Sequence, residues 1–504
     1  MQSLVNVRKL NCRISANCQL DIADFSLKAG QHWCLLGGNG AGKSLLAAVV
    51  TGELVLARGH VSYQAGFDPR TDICIVSFEV QQALWQRDSR HDISEFTVSA
   101  VDQGTTVRLL VQAGRRTTDS GTGQLDQLLT LLEIADLADR GIRFLSSGQL
   151  RRAMLARALY SQPKVLILDS PLESIDRRSA GAIRQTLSAW MAPDNCMLQL
   201  SRRASDVLPG ITHLALMDSL KIVDQGLSDA VRRGPAFAAF ESRRPRIPVL
   251  AGNDHLAART RHSQIAADPD MPLIVLEGVC ASYGDRPVIQ DLHWQMHWGD
   301  HVLIEGPNGC GKSTLLSLIN GENHKAYGQP VTLFGRRRGT GESVWDIKAK
   351  FGVVSNELHN RYVKGWKVLD VVVSGCFDSM GLYDNAGINE LAAAREWLSV
   401  LQLDDLSGAR YHELSFGQQR LVLLARAMVK TPLILILDEP CVGLDDYHRV
   451  MLLGVVDQIA GLGCTHIVYV SHSEEEMPAC INSRLTCQSP ASGETASTWQ
   501  ASRL

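Results

Sequence analysis

The chain has 504 residues, enough for several domains of ordinary size, and its 45% hydrophobic and 20% charged content is that of a globular protein. A formal net charge of −3 gives no nucleic-acid footprint over the whole chain, and no apolar stretch approaches the roughly eighteen residues of a membrane span. The twelve cysteines include no C-x-x-C pair and the start has no secretory apolar run, so reduced thiols and a cytoplasmic location are expected.

In chain order, residues 4–14 and 18–25 read as strands, 28–31 as a turn, and 32–36 as a strand entering Gly37-Gly38-Asn39-Gly40-Ala41-Gly42-Lys43-Ser44. That run has the form G-x-x-x-x-G-K-S, the phosphate-cradling P-loop. Its glycines let successive backbone N–H groups turn toward phosphate oxygens, and the helix that follows adds partial positive charge. Lys43 is expected on the β- and γ-phosphates of ATP and Ser44 on Mg²⁺. Residues 59–63 and 73–78 read as further strands. Residues 106–140 carry helical spacing at Leu125, Leu128, Leu129 and Leu132 around a polar loop, 114–123, and are expected to form an inserted helical subdomain. In Leu145-Ser146-Ser147-Gly148-Gln149, Ser146 and Gly148 stand where a helix starts; the residues alone fit either an anion site or an ordinary cap. Residues 165–169 are an apolar run ending in Asp169, the pattern of a buried parallel strand with a Mg²⁺-holding carboxylate at its end.

Residues 232–272, with Arg-Arg pairs, several prolines and no periodicity, read as a largely irregular linker between domains at 1–231 and 273–504. The second half repeats the first. Strands resume at 273–276, and residues 302–304 lead into a second P-loop, Gly306-Pro307-Asn308-Gly309-Cys310-Gly311-Lys312-Ser313-Thr314. Cys310 reads as a small residue at a variable position or as an oxidation-sensitive thiol. The loop Gly335-Arg336-Arg337-Arg338-Gly339 reads as a solvated turn, with contact to a phosphate or acidic partner the sharper alternative. Helical spacing returns over 390–403. Leu414-Ser415-Phe416-Gly417-Gln418 and an apolar run, 433–438, ending in Asp438-Glu439 complete the set. Lys312 follows Lys43, Ser415 follows Ser146, and Asp438 follows Asp169, each by 269 positions, so the chain is a tandem duplication.

P-loop, LSxGQ and apolar strand plus Asp, in that order, resemble the nucleotide-binding domain of the ATP-binding-cassette (ABC) family. The resemblance implies an α/β fold of two tandem ABC-type P-loop domains, each a RecA-like core with an antiparallel β part and a helical subdomain. It also implies two ATP sites, each closed head to tail by the signature helix of the other domain, so that one chain acts as its own dimer. Lys43, Ser44 and Asp169 would then face Ser415 and Gly417. Lys312, Ser313, Asp438, Glu439 and His472 would face Ser146 and Gly148. In the family the residue after the strand-terminal Asp polarises the attacking water, the switch histidine contacts the γ-phosphate, and an aromatic before the P-loop stacks on adenine. Glu439, His472 and Tyr283 match those positions. The first half has Ser170, Arg202 and Ile14 instead. A serine cannot take a proton from water near neutral pH, and general-base help is worth about 10²–10⁴-fold, so one catalytic and one slow ATP site are expected. The family's usual Gln after the next strand is missing from Val76-Ser77-Phe78-Glu79 and Val354-Ser355-Asn356, with Gln81 and Asn356 as substitutes.

Residues 333–348, 351–355 and 414–420 resemble a twin-cassette branch associated with molybdate-transport genes. That resemblance implies an accessory ATPase of molybdate transport docking on a separate membrane permease. The other classes are a soluble mechanoenzyme on the ribosome and a DNA-repair ATPase. The Pro-broken linker and Pro440-Cys441-Val442-Gly443 argue against the former, and the absence of paired cysteines against the latter.

Overall fold

The computed structural model describes residues 3–15, 18–54, 58–90, 104–114, 122–173, 175, 177–250, 271–283, 286–307, 309–323, 326, 328–362, 365–382, 385–471, 476–488 and 497–504. They fall into two compact units, Met1–Arg243 and Arg244–Leu504.

In the first unit, β1 (Ser3–Ser15), β2 (Cys18–Lys28), β3 (Trp33–Leu36), β4 (Arg58–Tyr63), β5 (Ile73–Val76), β6 (Val165–Asp169), β7 (Cys196–Ser201), β8 (His213–Asp218) and β9 (Lys221–Leu227) form one sheet. Its order is β4-β1-β2-β9-β8-β3-β7-β6-β5. The strands from β8 to β5 are parallel, whereas β1 pairs antiparallel with β2 and β4. Strand β6 shows why the run is uniformly apolar. Val165 and Ile167 enter a cluster with Leu46, Ala47 and Val50, while Leu166 and Leu168 enter another with Met154 and Leu155. A strand covered on both faces needs an apolar residue at every position. Each such side chain contributes about 1.5–3 kcal/mol by burial.

The helix α1 (Lys43–Val50) follows β3, and α2 (Ser147–Tyr160) precedes β6. The expected helical subdomain is present as Val107–Gln112 and Thr122–Leu131, with Leu110, Leu125, Leu129 and Leu132 packed in the cluster that holds Leu150 and Met154 of α2. The strand expected to reach Phe78 stops at Val76, because Ser77 accepts the amides that start the helix Phe78–Arg90.

In the second unit, β10 (Ile274–Tyr283), β11 (Arg286–Met296), β12 (Val302–Glu305), β13 (Val331–Leu333), β14 (Arg336–Arg337), β15 (Phe351–Val354), β16 (Ile434–Asp438), β17 (His466–Val470), β18 (Ser483–Gln488) and β19 (Thr498–Arg503) make two sheets. The antiparallel one is ordered β11-β10-β13-β14, and the other is β15-β16-β17-β12-β18-β19. The core order repeats that of the first unit, with the P-loop strand between the same two neighbours. Again α3 (Lys312–Ile319) follows that strand and α4 (Phe416–Met428) precedes the Asp-ending one.

The expected linker is shorter than its composition suggested. Pro235–Ser242 is a helix, opened by Pro at its first turn, and buries Phe237 with Leu214, Leu216 and Val231 of the first unit. The chain then joins the second unit: Gln402 donates to the Arg246 carbonyl at 3.1 Å, and Leu250 lies in that unit's core. The remainder of the expected linker up to residue 270 lies outside the described residues.

Candidate nucleotide sites

Each P-loop is set between a central strand and a helix N-terminus. A Cβ at Gly37 would stand 2.3 Å from the Met217 carbonyl oxygen, and one at Gly306 would stand 2.6 Å from that of Cys487, so backbone approach there requires glycine. Gly42 and Gly311, at φ 99° and 106°, turn the chain into α1 and α3. Lys43 Nζ donates to the Gly37 and Gly38 carbonyls at 2.6 and 2.8 Å; Lys312 Nζ donates to Gly306 and Pro307 at 2.8 and 3.0 Å. Both ammonium groups therefore lie across the loop that they follow. Asn39, Gly40, Ala41, Gly309, Cys310 and Thr314 lie in or directly after these loops, and Asn308 is outside the described residues. Cys310 is buried, and Cys487 Sγ donates to its carbonyl at 3.3 Å.

The structure brings Ser44 and Asp169 together: Ser44 Oγ donates to Asp169 Oδ2 at 3.3 Å. A hydroxyl beside a strand-end carboxylate is the oxygen donor set that suits Mg²⁺ shared with phosphates. Among the described residues no cluster of three His, Cys, Asp or Glu could hold a metal ion. Ser313 and Asp438 hold the equivalent places at the start of α3 and the end of β16.

The signature residues cap their helices. Ser146 Oγ accepts from Gln149 N at 3.2 Å while Gln149 Oε1 accepts from Ser146 N at 3.0 Å, and Ser415 and Gln418 do the same at 3.4 and 2.9 Å. These capping boxes fix the helix starts and aim the first-turn amides outward. Gly148 sits one turn position inside, and Gly417 does so in the second unit, where a Cβ would meet the His448 ring at 2.3 Å. His448 is itself held by Asp445 Oδ1 at 2.7 Å.

A sequence profile described as ABC transporter matches residues 20–173 and again 289–442. The chain belongs to the ABC transporter family. As an ABC protein it is 35% identical over 479 residues to the ABC transporter ATP-binding protein ModF of Escherichia coli, covering 94% of each chain. An uncharacterized ABC transporter ATP-binding protein of Schizosaccharomyces pombe is 26% identical over 91% of this chain and 93% of its own. Among solved structures, the RNase-L Inhibitor matches with a TM-score of 0.56 and 16% identity, over 98% of this chain and 90% of that one. A complex of an archaeal ribosomal stalk protein with the archaeal ribosome recycling factor aABCE1 matches with a TM-score of 0.55 and 16% identity, over 98% and 89%. The protein is thus a tandem ABC ATPase, and no described helix is long and apolar enough to cross a membrane.

The two ABC units share a backbone and differ in chemistry. Ser170 and Glu439 both take the left-handed conformation, φ 49° and 47°, and both donate their amide to the neighbouring strand, to Leu200 and Val470 at 3.1 Å. A non-glycine residue held there costs on the order of 1 kcal/mol, and both units retain it. In the second unit Arg420, fully buried, donates to the Ser355 carbonyl at 3.1 Å, to Asn356 Oδ1, and to the Glu439 carbonyl at 3.5 Å. In the first, Arg151 donates to the Ser170 carbonyl at 2.5 Å. The two arginines are 269 positions apart, so the repeat spacing alone would have found them. Asn356, one of the two substitutes for the missing Gln, is committed to Arg420; Gln81, the other, is buried in its helix.

His472 lies outside the described residues. Tyr283 ends β10, paired in register with Arg286, and Ile14 lies in β1. The first site also holds a carboxylate that its sequence reading missed. Glu173 N donates to the Ser170 carbonyl at 3.1 Å, and its carboxylate accepts from Arg202 Nη1 at 3.1 and 2.9 Å. Burial pushes this carboxyl up, but the charges of Arg202, Arg151 and Arg203 outweigh it and hold the group below its ordinary range.

Proposed function

We propose that the second unit hydrolyses ATP and that the first binds ATP with little turnover. The observation that carries this reading is the shared kink after the strand-terminal Asp, occupied by a carboxylate at Glu439 and by a hydroxyl at Ser170. Glu439 accepts the proton of the attacking water, Lys312 and the α3 amides stabilise charge on the γ-phosphate, and Ser313 and Asp438 hold Mg²⁺, which neutralises the phosphate oxygens when bound. Arg420 fixes the Glu439 backbone so that the carboxylate meets water at a set position. After incubation with Mg·ATP and rapid removal of free nucleotide, the protein is expected to retain one unhydrolysed ATP per chain. Retention of ADP alone would count against it.

The identity to ModF over nearly the full length supports a finer reading: an accessory ATPase of molybdate transport, docking on a separate membrane permease. Affinity capture from cell lysate with the Glu439→Gln chain in ATP tests this. Recovery of a permease subunit supports it, and recovery of ribosomes or DNA in its place rejects it.

A further inference from the structure

The Glu173–Arg202 pair belongs to one unit alone. The position 269 residues after Glu173 is Val442, so the second unit has no matching carboxylate. Both partners stand at the rim of the first phosphate loop. Arg202 follows Ser201, whose carbonyl accepts from Gly37 N at 3.2 Å, and Glu173 closes a turn on Ser170, next to Asp169. Their side chains are 18% and 21% exposed, sheltered enough for the pairing to matter and open enough to exchange partners. A guanidinium offers the same forked donors to a carboxylate and to a phosphate. An anion entering the loop therefore competes with Glu173 for Arg202.

We propose that Glu173 and Arg202 form a counter-ion switch that makes the first site a sensor of the γ-phosphate. With ADP the pair stays closed. With ATP, Arg202 transfers its donors from Glu173 to the terminal phosphate, and Glu173 is released. The switch accounts for two departures at once: the arginine reads the phosphate, and the glutamate keeps that arginine from binding any anion indiscriminately. It rests on the reading of the first unit as a nucleotide-holding site.

Calorimetric titration of the full chain with Mg·ATP and Mg·ADP, in a Lys312→Ala background that weakens the second site, separates the possibilities. The parent is expected to prefer ATP. Arg202→Ala should remove about tenfold or more of the ATP affinity, the scale of a charged hydrogen-bond pair, and leave ADP within twofold. Glu173→Gln, which keeps shape but removes the competing charge, should tighten ATP several-fold and leave ADP unchanged. Arg202→Lys, a cation without the fork, should fall between parent and Arg202→Ala. Equal weakening of both nucleotides in either variant, or weaker ATP binding in Glu173→Gln, would mean that the pair merely braces the loop and overturns the switch. If the background protein binds neither nucleotide, the first-site reading fails and the switch falls with it.

Discussion

At the scale of single residues, Arg420 shows how one buried cation ties three chain segments together behind Glu439. It reaches three acceptors on separate segments, Ser355, Asn356 and the Glu439 carbonyl. Arg420→Met should leave those half-buried acceptors without their shared donor, at a cost of about 1–3 kcal/mol in all. Chemical denaturation should show a loss of stability, and turnover should fall further than ATP binding does. Gly417 is constrained in another way. The 2.3 Å approach of a Cβ to His448 means that Gly417→Ala must displace the ring or the helix start, costing roughly 1–3 kcal/mol of overpacking. A thermal melt of that variant indistinguishable from the parent would contradict this packing. Single-residue placement was legible where a motif fixed it: Lys43 and Lys312 open helices after the phosphate loops, and Asp169 and Asp438 end buried strands, with Glu439 directly after. Glu173 was not legible, because its role arises from Arg202, 29 positions away, and no local pattern marks a carboxylate whose partner comes from the end of another strand.

Elements were legible in proportion to how completely local chemistry determined them. The run 165–169 announced a strand because both of its faces are covered, and the signature helices announced their starts through the Ser and Gln of their capping boxes. Removing the cap by Ser415→Ala should cost about 1 kcal/mol of stability; an unchanged denaturation midpoint would show that the cap is dispensable. Residues 235–242 failed as a reading because flanking Arg-Arg pairs and prolines resemble a connector. Their helix exists because Phe237 finds a pocket between β8 and the short helix Ser228–Arg232, a tertiary contact that composition does not display. The end of β5 failed for a smaller reason, since an apolar Phe78 continues a strand pattern while Ser77 starts a helix.

At the scale of the molecule, duplication preserved the frame and let the chemistry diverge. Both cores keep one strand order, with the P-loop strand in the middle, while β4, β1 and β2 join the core sheet in the first unit and β11, β10, β13 and β14 form a sheet of their own in the second. The second unit also buries titratable groups that tie its stability to pH. Burial pushes His359 down to about 3, helped by the charge of Arg420, and burial pushes His466 down to about 4 against its hydrogen bond to Leu433. Unfolded, both titrate near 6.5. Between about pH 6.5 and 4 the unfolded chain therefore binds more protons than the folded one, so stability is full above that window and is lost as pH falls through it. The denaturation midpoint of the second unit should drop between pH 7 and pH 5, and a His359→Gln, His466→Gln double variant should show a flatter dependence. The same frame also locates the most direct measurement. Steady-state ATP hydrolysis and ATP binding should be compared between the parent chain and Glu439→Gln. The one-carboxylate account predicts turnover lowered by about 10²-fold or more with ATP affinity retained; turnover within a few-fold of the parent would contradict it.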